Sequence, residues 1–141
     1  MDVLYTARAT ATGGGRDGRS RTDDGKVDVS LSVPKAMGGD DGAGTNPEQL
    51  FATGYAACFL GALRLVSKEA GTPVGPDTEV HSSVGFGKNT KGDGFNLDIE
   101  LKVSNTGLDA ATAQTLVERA HEVCPYSNAT RGGVDVRVSA Q

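Results

Sequence analysis

TNPEQLFATGYAACFLGALRL, residues 45–65, joins a sharp helix start to an apolar run with one cysteine in its middle, and its reading decides the fold. Asn46 suits an N-cap, Pro47 the first helical position, and Gln49 the place from which a capping-box side chain reaches back. Residues 50–63 carry no charge, and Leu50, Phe51, Ala56, Phe59, Leu60 and Leu63 are spread over every face. That pattern predicts a helix buried on all sides. The uncharged run is about 21 Å long, short of the ~30 Å bilayer core, so a central core helix is expected rather than a membrane span. Gly54 and Gly61 each weaken a helix by up to about 1 kcal/mol relative to Ala, and close packing against a neighbour is the expected compensation. The helix should run to about Glu69 and stop at Gly71-Thr72-Pro73.

On either side of this helix the chain reads as strands. Residues 3–12 are β-branched and aromatic. Val27, Val29, Leu31 and Val33 alternate with polar residues up to Pro34, so a hairpin is expected with residues 16–24 as its tip. Residues 36–44 form a loop into the helix. Residues 79–87 and 95–103 predict two further strands joined by the polar loop 88–94. A second helix begins near Asp109, with Ala113, Leu116, Val117, Ala120, Val123 and Cys124 on one face, and Pro125 ends it. Val134, Val136 and Val138 alternate in a closing strand. The fold class is α+β with antiparallel hairpins and two core helices.

The 141 residues read as one domain, 1–141, large enough to bury a core without disulfides. A net charge of −4 gives no footprint for nucleic acid or an anionic membrane. The first residues show neither a secretory signal nor an anchor, so a cytoplasmic protein is expected. In that compartment the two cysteines are not a structural framework.

Cys58 lies about three turns into its helix, beyond the reach of helix-end charge, and burial disfavours its thiolate. Lowering its pKa to about 6 requires roughly 3.4 kcal/mol of preference for the anion, hence a nearby cation. Arg16, in the glycine-rich GGGRDGR turn, is the best candidate, with Arg19, Arg21 and His121 as rivals. Glu48 either favours its helix N-terminus or clamps Arg16 in a bidentate pair. Cys124 stands on another helix, and whether it meets Cys58 depends on packing. A metal site from His121, Cys124, Cys58 and His81 would need ligands from four elements without a Cys-x-x-Cys knuckle, and none is expected. Neither a Ser-centred elbow nor a phosphate loop is present.

GGRDGR at 14–19, TNPEQLFATGYAACFLGAL at 45–63 and AHEVCPYSNATRGGVDV at 120–136 closely resemble the organic hydroperoxide resistance proteins of bacteria, within the wider family of the osmotically inducible protein C. The resemblance covers essentially the whole chain, and CPYSNATRG points to the organic hydroperoxide branch. It implies an intertwined homodimer and a thiol peroxidase that reduces organic hydroperoxides to alcohols. Cys58 matches the peroxidatic cysteine, Cys124 the resolving one, Arg16 the arginine that stabilises the thiolate, and Glu48 its carboxylate partner. It further implies no bound cofactor, with a dihydrolipoamide-type dithiol on a lipoylated protein as the external reductant. Thr53, Lys88-Asn89 and Ser104-Asn105-Thr106 depart from the pattern without touching those four positions.

Helix geometry adds a constraint. Glu48 and Cys58 are ten positions apart, which on one straight helix means about 15 Å along the axis and roughly 80° around it. Either the helix breaks near Gly54, or Arg16 and Glu48 serve the Cys58 of a partner chain, and the second is preferred. A competing reading is a lipid or apolar-ligand binder that needs no thiolate. A redox sensor without turnover is a third.

Overall fold

A computed structural model describes all 141 residues, which form two compact units, 1–50 and 51–141. In the first unit β1 (Ala9–Thr12), β2 (Arg19–Thr22) and β3 (Asp28–Ser30) make an antiparallel meander in that order. β1 and β2 pair from Ala9 opposite Thr22 to Thr12 opposite Arg19, and β2 pairs Arg19 with Ser30. The structure corrects the expected hairpin here, because the predicted tip contains a strand. Two glycine turns explain it. Gly13 and Gly15 take φ of 70° and 77°, and Gly25 takes 73°, so the chain reverses twice within a segment that looked like one loop. Every residue of β1 is exposed, and Leu31 is the only buried residue of this unit.

Helix α1 (Pro47–Glu69) is continuous through Gly54. The backbone N–H of Gln49 donates to Asn46 Oδ1 at 2.8 Å, which is the expected cap. The Gln49 side chain, however, accepts from Thr45 Oγ1 at 2.7 Å instead of reaching back to the Asn46 backbone. The helix ends at Glu69, with Gly71 left-handed at φ 74°.

The second unit holds most of α1, then β4 (Glu79–Lys88), β5 (Phe95–Ser104), α2 (Ala110–Val123), α3 (Pro125–Thr130) and β6 (Val136–Ala140). β4 and β5 form a long hairpin from Glu79 opposite Ser104 to Lys88 opposite Phe95. β6 lies parallel to β5, Ile99 opposite Val136, which requires the crossover that α2 and α3 supply. Asp109 caps α2, its Oδ2 accepting from the Thr112 N–H at 2.9 Å. Pro125 does end α2, but it also occupies the first turn of α3, a helix that the sequence reading missed.

The core of this unit gathers Tyr55, Phe59, Leu63 and Val66 of α1, Ile99, Leu101 and Val103 of β5, and Leu116, Val117 and Ala120 of α2. These are the period-two face of a strand and the apolar stripes of two helices. By length and composition α1 would suffice to cross a membrane, yet this face of it builds the core. The expectation of burial all round is corrected. Thr53, Ala57, Gly61 and Leu65, one turn apart along α1, are exposed, because the unit supplies cover for one side of the helix only.

Candidate active site

In the first unit, the turn between β1 and β2 aims Arg16 at the start of α1. Gly18 is held so close to Thr12 that a Cβ would stand 1.9 Å from the Thr12 carbonyl oxygen, so only glycine closes this turn. Arg16 donates from both terminal nitrogens to Glu48, at 2.9 and 2.7 Å, in a fork-to-fork pair. The Glu48 side chain is 12% exposed and that of Arg16 40%. The guanidinium hydrogen bonds hold the Glu48 carboxyl below its usual range against the opposing effect of burial, and Glu48 raises Arg16 in return. Of the rival arginines, Arg19 is engaged by Asp28 in an exposed bidentate pair at 2.7 and 2.6 Å, and Arg21 is exposed on β2.

In the second unit, Cys58 from α1 and Cys124 from the joint between α2 and α3 are both free thiols, with their sulfurs 3.6 Å apart. A disulfide needs about 2.05 Å, so the sulfurs touch without being bonded. Cys124 is fully buried and serves at once as the last cap of α2 and the first of α3, in an extended conformation at φ −63° and ψ 127°. Burial pushes the Cys58 thiol up. The backbone N–H of Tyr126 works the other way, by hydrogen bonding to the sulfur, and Cys124 raises it further. Phe51, Tyr55 and Tyr126 form an aromatic cluster with ring centroids 5.6 to 5.9 Å apart, and Phe51 and Cys58 both pack against the core.

His121 is a poor cation. Burial and the nearby Arg131 push its pKa down, only partly opposed by Glu122, and its Nδ1 lies 2.8 Å from the Ser127 hydroxyl. His81 is on the exposed side of β4, beside Ser104 and Glu79. No group of three His, Cys, Asp or Glu side chains is placed to hold a metal ion. A surface groove of about 290 Å³ at the turn of the β4–β5 hairpin includes neither cysteine in its lining.

The sequence reading missed Tyr126, Tyr55 and Ser127. The signal was present in Cys-Pro-Tyr-Ser: a proline directly after a cysteine begins a new helix as readily as it ends the old one. That start places Tyr126 in the first turn of α3, two residues after Cys124.

Known proteins share both the sequence and the fold of this chain. A family model described as OsmC-like protein matches residues 38–139. An organic hydroperoxide resistance protein of Xanthomonas axonopodis pv. citri is 51% identical over 137 residues, covering 97% of this chain and 94% of the relative. The organic hydroperoxide resistance protein OhrB of Bacillus subtilis is 47% identical over 136 residues, covering 96% and 97%. The crystal structure of OhrB from Bacillus subtilis matches with a TM-score of 0.87 at 46% identity, over 99% of this chain and 100% of that one. An organic hydroperoxide resistance protein from Legionella pneumophila matches with a TM-score of 0.91 at 45% identity, over 99% of both chains. Sharing half its residues with such relatives and their fold over nearly its whole length, this chain belongs to the OsmC-like family, among its organic hydroperoxide resistance proteins.

Proposed function

We propose that this protein is a two-cysteine thiol peroxidase for organic, fatty-acid-type hydroperoxides. The observation that carries the reading is the 3.6 Å contact between two free thiols beside an aromatic cluster. The Cys58 thiolate attacks the terminal peroxide oxygen and the O–O bond breaks. The alkoxide leaves with a proton as the alcohol, and Cys58 becomes a sulfenic acid. Cys124 then attacks the Cys58 sulfur as its thiolate, hydroxide departs as water with one proton, and a disulfide forms. The sulfurs close from 3.6 Å to about 2.05 Å in that step. An external dithiol of the dihydrolipoyl class, carried on a lipoylated protein, returns both thiols, so no bound cofactor is required. The chemistry belongs to the cytoplasm, where such dithiols are kept reduced.

The Cys58 anion needs a cation, because burial alone opposes it. We assign that role to Arg16, held in place by Glu48, acting on the Cys58 of a second copy in a homodimer. The unbroken α1 supports this over a hinge at Gly54. So does the first unit, in which Leu31 is the single buried residue and none of the residues of the three strands is buried. The exposed stripe of α1 offers a second face of the same kind.

The test is steady-state turnover with dihydrolipoamide and its reductase, comparing tert-butyl and fatty-acid hydroperoxides with hydrogen peroxide. Organic peroxides should react much faster, since hydrogen peroxide gains little from an apolar surround. Cys58→Ser should abolish turnover. Equal rates on hydrogen peroxide, or activity that survives Cys58→Ser, would refute the reading.

A further inference from the structure

Ser127 and Tyr55 are fully buried, yet each carries a hydroxyl. Buried hydroxyls are costly unless bonded, and these two are bonded to each other at 2.7 Å. The Ser127 hydroxyl continues to His121 Nδ1 at 2.8 Å, which makes a chain of three side chains from three helices. Its position relative to the cysteines is regular. Tyr55 stands one turn before Cys58 on α1, Ser127 one turn after Cys124 on α3, and His121 one turn before Cys124 on α2. The bond between His121 and Ser127 therefore staples the two helices on either side of the extended Cys124 joint. Arg131 adds a second tie by donating to the His121 carbonyl at 2.9 Å. The bond from Tyr55 to Ser127 then fastens the stapled joint to α1, alongside the contact between the two sulfurs.

We propose that the Tyr55–Ser127–His121 chain is a positioning device that holds Cys124 in line with Cys58, and that it is fully bonded only while His121 is neutral. The directionality follows from counting hydrogens. With neutral His121 protonated on Nε2, Tyr55 donates to Ser127 and Ser127 donates to Nδ1, so each hydroxyl hydrogen has an acceptor. A proton on Nδ1 reverses the chain. Ser127 must then donate to Tyr55, and the Tyr55 hydrogen points into a buried site with no acceptor left. The charged groups acting on His121 are Arg131 beyond α3 and Glu122 on its own helix, while Tyr55 faces it from α1 through Ser127. Arg131 and burial both favour the neutral ring at physiological pH.

The inference rests on reading Cys58 and Cys124 as a redox pair, and its test separates the two ideas without using peroxide. Dithiobis(nitrobenzoate) reacts with the Cys58 thiolate to give a mixed disulfide and one coloured thiolate. Cys124 then attacks the Cys58 sulfur, forming the protein disulfide and expelling a second coloured thiolate. The rate of the second release reads the alignment of Cys124. Tyr55→Phe, which keeps the ring, should slow it about tenfold, the equivalent of one hydrogen bond. His121→Ala should slow it similarly. His121→Asn, whose amide oxygen stands where Nδ1 stands, should recover most of that loss. Thiol attack of any kind speeds up with pH, so the diagnostic is the ratio of wild type to His121→Asn. That ratio should fall as the solution is made acid enough to protonate His121. No second release in the wild type would overturn the pairing itself. A second release that Tyr55→Phe and His121→Ala leave unchanged, or a ratio flat with pH, would overturn the positioning role alone.

Discussion

The ring of Tyr126 lies against the backbone of α1 at Gly54, where a Cβ would stand 3.0 Å from its hydroxyl oxygen and 3.3 Å from Cε2. A glycine inside a helix thus makes room for the residue whose backbone N–H works against the burial that pushes the Cys58 thiol up. At Gly61, the second glycine of the helix, nothing packs within 4 Å of where a Cβ would stand, and the residue belongs to the exposed stripe. The two glycines looked equivalent in the sequence and have different surroundings.

Substitution at Gly54 should separate helix propensity from packing. Gly54→Ala gains up to about 1 kcal/mol of helix preference, and the partly exposed Tyr126 ring can yield a few tenths of an ångström, so urea unfolding should show little loss or a gain. Gly54→Leu should displace the ring and cost about 1–3 kcal/mol. By disturbing the Tyr126 N–H it should also raise the Cys58 pKa. Alkylation rates measured against pH would record that shift, and an unshifted titration would show that the N–H contact survives without the ring.

Glu48→Gln should weaken the protein at neutral pH and not in acid. The Glu48 carboxyl is held below its unfolded value by Arg16, so its contribution is fully present above the unfolded pKa of about 4.3 and is lost as pH falls through the folded one. Because Arg16 is partly exposed, the difference at neutral pH should be about 1 kcal/mol and shrink with salt. Denaturant melts of both proteins at neutral pH and near pH 3 would show the curves converge in acid.

Mixed dimers test whether the site is shared. Mixing equal amounts of Cys58→Ser and Glu48→Ala chains places one intact site in each heterodimer, which is about a quarter of all sites at random pairing. Turnover should recover to roughly that fraction if Arg16 and Glu48 act across the dimer. With all four residues from one chain, mixing restores nothing.

Asp109→Ala should lower the urea midpoint through loss of the α2 cap. The carboxylate accepts from both the backbone N–H and the hydroxyl of Thr112, at 2.9 and 2.7 Å. Its pKa is lowered by these bonds, so the loss too should fade as pH falls through the carboxylate range. Urea midpoints at two pH values would check both statements. Asp109→Asn, which still caps, should retain most of the stability.

Local chemistry was legible at three helix ends, where one or two residues decide the outcome. Asn46 and Pro47 announced the start of α1, Gly71 its end, and Asp109 the start of α2, because caps are satisfied within a single turn. The alternation of β5 placed Ile99, Leu101 and Val103 in the core. Strand β2 was not legible. Its Arg-Ser-Arg-Thr has little apolar signal, and its pairing comes from the two glycine turns around it. Helix α3 was hidden behind the proline that also ends α2.

By itself the sequence determined the boundaries of α1 and α2, the α+β class and the motifs that place the chain in its family, because these depend on neighbours in the chain and on residue identity. Only the tertiary structure decided the separation of the two sulfurs, which lie 66 positions apart in sequence and 3.6 Å apart in space. It also decided which face of α1 is covered. An apolar side chain states that burial is favourable, but the protein that covers it is set by packing between distant elements, and along α1 that packing buries Tyr55, Phe59, Leu63 and Val66 while Ala57, Gly61 and Leu65 stay exposed.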